Sequence, residues 1–295
     1  MKINETTFLG RTGVEIVDDY KKIFITNELG GRILYYGTED FNILHENEFK
    51  ETENIAEISQ SNLKETREKL GWNDFGGYKT WLAPQTNWDG PPYLDLDRGI
   101  YEMNWEKLEN NDVKIVCTSP ICRETGMQIK REIIIYKNST KMDVNHILTS
   151  TTENDCKWGI WDVTQVKKPC ISIIKGELNQ YELFGEESKE TDFLKIENGV
   201  ITAIAPANEK RGYKGYFLSE SDGFSTEFEI NGKTITYLKE FNMKRLYEYA
   251  HKSNIEVYSD FNKNYAELEA HSPLFTFGKE NKSNYFNITW SFKID

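Results

Sequence analysis

The sequence predicts an all-β protein, a large antiparallel β-sandwich. Short runs of β-branched and aromatic residues recur along the chain with alternating polarity, the period of a strand with one buried face. Glycine and asparagine clusters punctuate them, as in "ELGG", "KNST", "TENDC", "ENGV" and "INGK". No linker, composition break or fixed-period repeat interrupts the 295 residues, so the reading is a single domain over 1–295 rather than a propeller or an array.

Taken in order, the clearest strands are "VEIVDD", "KKIFITN", "GRILYYG", "GIYEMNWE", "DVKIVCTS", "MQIKREIIIYK", "KMDVNHILTS", "CKWGIWDVTQV", "FSTEFEI", "KTITYLKEF", "YAELEAH" and "YFNITWSF". "EINGKTITY" reads as a tight hairpin turning at Asn231-Gly232, because both positions favour positive φ. One stretch breaks the pattern. Glu53 to Leu70 carries apolar residues only at Ile55, Ile58, Leu63 and Leu70 among many charges, which predicts a polar helical or loop insertion over 53–70.

Composition excludes several function classes. Lysine and arginine number 36 against 48 acidic residues, a net charge of -12, which disfavours nucleic acid and anionic lipid as partners. "MKINETTFLG" has no apolar leader region and no run is long enough to span a bilayer, so the expectation is a cytoplasmic protein with no membrane partner. Cys117, Cys122, Cys156 and Cys170 form no C-x-x-C pair and lie at no zinc-finger spacing from a histidine, so they read as reduced and structural. His45, His146, His251 and His271 show no metal-ligand spacing. No phosphate-loop, dinucleotide or nucleophile-elbow motif is present, and the expectation is no cofactor and no metal.

Three stretches carry candidate chemistry. In "NYAELEAHSP", strand alternation places Tyr265, Glu267, Glu269 and His271 on one face, each about 7 Å from the next. Clustered carboxylates raise each other's pKa and a neighbouring imidazole can share their proton, which suits acid/base work near neutral pH. The plain alternative is a solvated strand face. In "CKWGIWDVTQV", Trp161 and Gln165 share one face, and Trp158 and Asp162 the other. Indoles pack on the C–H faces of sugars and amides bond hydroxyls, although both tryptophans equally suit a core. In "GGYKTWLAPQTNWDGPPY", Pro84, Pro91 and Pro92 stiffen a segment that presents Lys79, Trp81, Gln85 and Trp88. It reads either as a plug or as a ligand wall. Arg32 in "ELGGRILYYG" needs a partner if buried.

These stretches, with "LGGRILYYGTEDFNIL" and "MDVNHILTSTTENDCKWGIWDVTQV", resemble in order and spacing the galactose mutarotase-like (aldose 1-epimerase-like) superfamily, and within it an uncharacterised bacterial family. The resemblance runs from Leu29 to Phe277. It implies a supersandwich of two large antiparallel sheets and a small-molecule carbohydrate as ligand. It also implies cofactor-free interconversion of sugar anomers or epimers, with a glutamate on a late strand, Glu267 or Glu269, as general base. Arg32, Lys79, Trp81, Gln85, Trp88, Trp161 and Gln165 would then bind the sugar. The superfamily's acid histidine has no counterpart between Trp158 and Gln165, which leaves Asp162, His271 or, one strand earlier, His146 as acid, or a carbohydrate-binding protein without catalysis. A structural or interaction module is the reading from another class. The acidic balance argues against a phosphorylated sugar, and the sequence sets no oligomeric state.

Overall fold

A computed structural model describes residues 1–48, 53–185, 193–207, 210–243 and 247–295. The strands are β1 Lys2–Phe8, β2 Arg11–Val17, β3 Lys22–Ile25, β4 Ile33–Thr38, β5 Phe41–Asn42, β6 Tyr78–Ala83, β7 Glu102–Lys107, β8 Val113–Thr118, β9 Met127–Ile135 and β10 Met142–Ser150. They continue with β11 Cys156–Lys167, β12 Cys170–Gly185, β13 Leu194–Glu197, β14 Val200–Ala205, β15 Arg211–Ile230, β16 Lys233–Glu240, β17 Ile255–Ser259, β18 Tyr265–His271, β19 Phe275–Phe277 and β20 Ser283–Ile294. Every run singled out in the sequence lies on one of these strands.

All pairings are antiparallel and trace two sheets. The first runs β1-β2-β3-β4-β6-β11-β18-β17-β15-β12. The second runs β7-β8-β9-β10-β20-β16-β15-β12-β14-β13. β12 and β15 belong to both, because each is long enough to cross from one sheet to the other. The crossing is a break in register between Ile174 and Gly176, opposite Ser219 to Phe224. Gly176 and Gly223 stand there at φ of 153° and 135°, a backbone that side chains avoid. The Asn231-Gly232 hairpin forms as expected, with φ of 53° and 73° between the paired Ile230 and Lys233.

The inner faces of the sheets meet over Tyr36, Tyr78, Tyr237 and Trp290, whose rings contact edge to face. One buried ion pair, Lys239 to Asp162, joins the sheets inside this core. The 53–70 insertion folds as 3-10 turns at Ile55–Glu57 and Gln60–Asn62 followed by helix α1, Leu63–Leu70. Its thin apolar side, Ile55 and Leu63 with Ile58 and Leu70, packs on Leu94 of α2, Leu94–Asp97. The "GGYKTWLAPQ" segment, read as a plug or a wall, is in part a sheet strand. Its Tyr78–Ala83 half is strand β6, buried throughout between β4 and β11, and the prolines follow it. The cysteines are free, and burial raises the thiol pKa of Cys117, Cys122 and Cys170, which suits packing and not nucleophilic attack. No helix among the described residues is long and apolar enough to cross a membrane.

Candidate functional site

Antiparallel register decides which side chains meet. Across β11 and β18, Trp161 pairs with His271, Val163 with Glu269 and Gln165 with Glu267. β6 adds Trp81 opposite Trp161 and Lys79 opposite Val163. β17 adds Glu256 opposite Glu269 and Tyr258 opposite Glu267. β15 adds Tyr216 opposite Glu256 and Lys214 opposite Tyr258. Residues directly paired across strands project to the same side. One face of the first sheet, turned away from the second, therefore gathers five strands' worth of carboxylates, lysines and rings.

Glu269 sits at the centre and is 0% exposed. Its Oε2 accepts a hydrogen bond from Trp161 Nε1 at 2.7 Å and lies 3.2 Å from Lys214 Nζ. Burial pushes its pKa up to about 8; Lys214 opposes the rise, and the Glu256 and Glu267 charges add to it. Glu256 goes the other way. Burial would raise it, yet His271, Lys214 and His251 together hold it well below the usual carboxylate range. Lys214 Nζ is 2.8 Å from Glu256 Oε2, so the ammonium bridges the two carboxylates, and their charges raise its pKa against burial. Two carboxyl groups side by side thus differ in protonation, the arrangement that separates an acid form from a base form.

Around this centre, Glu267 accepts from Lys79 Nζ at 3.0 Å and from Gln165 Nε2 at 3.1 Å. Lys79 also lies over the Trp81 ring, 4.0 Å from its centroid. His271 stacks on Trp161 and its Nε2 is 3.0 Å from Glu256 Oε1. His251, on the turn Ala250–Lys252, reaches the same oxygen through Nδ1 at 2.8 Å. Arg32 is one step removed: Asp97 Oδ1 accepts from Arg32 Nη2 at 2.7 Å and from Trp81 Nε1 at 2.8 Å, so the arginine anchors the indole. Trp72 is 53% exposed and lies against Trp81 and Trp88, at the open edge of the cluster.

Glu267, Glu269, His271, Lys79, Trp81, Trp161 and Gln165 therefore converge. Asp162 does not. Its odd-even position sends it through the sheet into the inter-sheet core, where it pairs with Lys239 and lies 3.7 Å from His146 Nε2. His146 in turn bonds Tyr78 and the Phe286 carbonyl, and burial lowers its pKa to about 4. Neither shares a face with Glu269. Trp88 is buried with its ring against Trp81 and Trp161 and its Nε1 donating to the Leu82 carbonyl at 3.0 Å, and Gln85 heads the 3-10 turn Gln85–Asn87 beyond β6. Glu256, Lys214, His251 and Trp72 escape the sequence reading. "IEVYS" and "GYKGYF" do alternate, and that period was the available signal for Glu256 and Lys214.

No sequence-family model matches this chain, and no curated protein matches it by sequence. Solved structures do match its fold. A galactose mutarotase-like protein from Clostridium acetobutylicum superposes with a TM-score of 0.57 at 10% identity, covering 100% of this chain and 98% of its own. The Slr1438 protein from Synechocystis sp. gives 0.59 at 8% identity, over 99% of this chain and all of its own. A protein provisionally assigned as an aldose 1-epimerase, from Klebsiella pneumoniae, gives 0.61 at 13%, over 96% and 79%. The chain has the galactose mutarotase-like β-sandwich fold.

Proposed function

We propose that the outward face of the first sheet binds a neutral sugar and interconverts its anomers or epimers by acid/base catalysis. Glu269 carries the reading: a carboxyl whose pKa is pushed up to about 8 at the centre of a face of amides, lysines and indoles. In its ionised form Glu269 takes the proton of the anomeric hydroxyl, and the Trp161 N–H and Lys214 ammonium orient it. His251 and His271 are the imidazoles on the same face and supply the electrophile at the ring oxygen. Lys79 and Gln165 both donate to Glu267, a set suited to hydroxyls, and Trp72 offers an exposed ring to a sugar's C–H face. Lys79 and Lys214 are both committed to carboxylates, which fits an uncharged ligand.

One observation favours the second reading, a carbohydrate-binding protein without turnover: Glu269 is wholly buried. Polarimetry over a panel of free aldoses separates the two. Acceleration of anomeric equilibration is expected for at least one sugar, falling about 10²- to 10⁴-fold in Glu269→Gln. No acceleration for any sugar removes the catalytic reading.

A further inference from the structure

Glu256 is buried among Ser253, His251, His271 and Lys214. Ser253 Oγ, His251 Nδ1 and His271 Nε2 stand 3.0, 2.8 and 3.0 Å from its Oε1. The serine and His251 satisfy that oxygen as donors. His271 is left over. It is 1% exposed, and neither of its ring nitrogens makes a hydrogen bond of acceptable geometry among the described residues. Its Nε2 faces an oxygen that already has two donors and its Nδ1 has no partner among the described residues, and a buried imidazole so poorly satisfied calls for a cause.

We propose that His251, Glu256 and His271 bind one zinc-class divalent ion. The three donor atoms come from a turn, β17 and β18, and lie within 4.8 Å of one another. Four-coordinate zinc, with bonds of about 2.0–2.2 Å, needs donors about 3.3 Å apart. The two contacts to Glu256 Oε1, 2.8 and 3.0 Å, would open by a few tenths of an ångström, and the two imidazole nitrogens, within 4.8 Å of each other, would settle to the same spacing. His251 is the member able to give: it is partly exposed and sits on a turn. Its backbone is at φ 53°, with Lys252 next to it at 55°. Two successive non-glycine residues in the left-handed region are a strained turn, kept where the surroundings dictate it. Here it aims the imidazole at Glu256.

Lys214 sits on the other Glu256 carboxylate oxygen, Oε2, so the ion takes Oε1 in place of the Ser253 hydroxyl and the His251 N–H. Two imidazoles and one carboxylate suit zinc and its late first-row neighbours rather than calcium or magnesium, which take oxygen. Three protein donors leave a position for water or a substrate oxygen.

The test is metal uptake by the full chain, without a histidine tag, after stripping by a chelator. One equivalent of Zn²⁺ is expected, with Co²⁺ giving the visible absorption of four- or five-coordinate cobalt. His251→Ala should keep the native circular dichroism and lose at least about tenfold in affinity, the cost of even a supporting partner. If that variant does not fold, diethylpyrocarbonate labelling of the natural chain replaces it, with Zn²⁺ expected to protect His251. Absence of uptake, equal affinity in His251→Ala, or unprotected labelling would overturn the site. The metal site shares His251 and His271 with the sugar reading and is tested separately from it: metal uptake without sugar turnover sinks only the sugar reading, and sugar turnover without metal uptake sinks only the metal site.

Discussion

At the scale of residues, the account turns on Glu269 and Glu256, neighbours with opposite titration. A base works only when ionised, so sugar turnover should rise with pH to a plateau above about 8, the value to which burial and neighbouring charges push Glu269. A plateau reached already near pH 5 would remove Glu269 from that role. Stability follows the same linkage with definite sign. Glu269 in the folded chain keeps its proton above the ordinary carboxylate range, where the unfolded chain has lost it, so its contribution is full at low pH and is lost as pH rises to about 8. Glu256, held low, contributes in the opposite sense, losing its contribution on acidification. Glu269→Gln should flatten the decline in urea midpoint between about pH 5 and 8; an unchanged slope would contradict the raised pKa. The alternation of "YAELEAH" made Glu267, Glu269 and His271 legible. Their partners were not, since nothing in one strand reveals which strand lies beside it. Asp162 shows the reverse error: its parity already put it opposite Trp161, and the sheet's two faces lead to different surroundings.

At the scale of elements, β12 and β15 matter most, because they turn two sheets into one sandwich. Their bend depends on Gly176 and Gly223. A Cβ on Gly223 would lie 2.0 Å from the Lys239 carbonyl oxygen, and one on Gly176 would lie 2.4 Å from that of Leu218. Both clashes are with backbone, which cannot swing aside. Gly223→Ala should therefore cost at least about 2–3 kcal/mol, read as a lower urea midpoint. A loss below about 0.5 kcal/mol would show that the bend is not held there. Strands with clean alternation, such as β9 and β10, were plain from sequence. β6 was not, because it is buried on both faces and its flanking glycines and prolines look like a loop. β12 was not either, since a strand that changes sheets breaks its own period at the bulge.

At the scale of the whole molecule, the first sheet carries a buried polar cluster on each of its faces. Inside the sandwich, Lys239 and Asp162 join the sheets, fully buried. Removing one member strands a charge, so Lys239→Met should cost about 3–5 kcal/mol, while the double change with Asp162→Leu should recover most of it. A double variant no more stable than Lys239→Met would contradict the pairing. The sandwich itself was readable from strand count and unbroken composition, whereas the division of its polar residues between an interior and an outward face needed register.

On that outward face, the decisive observation is sugar contact. Saturation-transfer difference NMR with neutral aldoses should transfer magnetisation to the C–H protons of at least one sugar, with transfer weakened in Trp72→Ala and preserved in Trp105→Ala, an exposed indole on β7 of the other sheet. No transfer to any aldose, or transfer indifferent to Trp72, would contradict a saccharide site here.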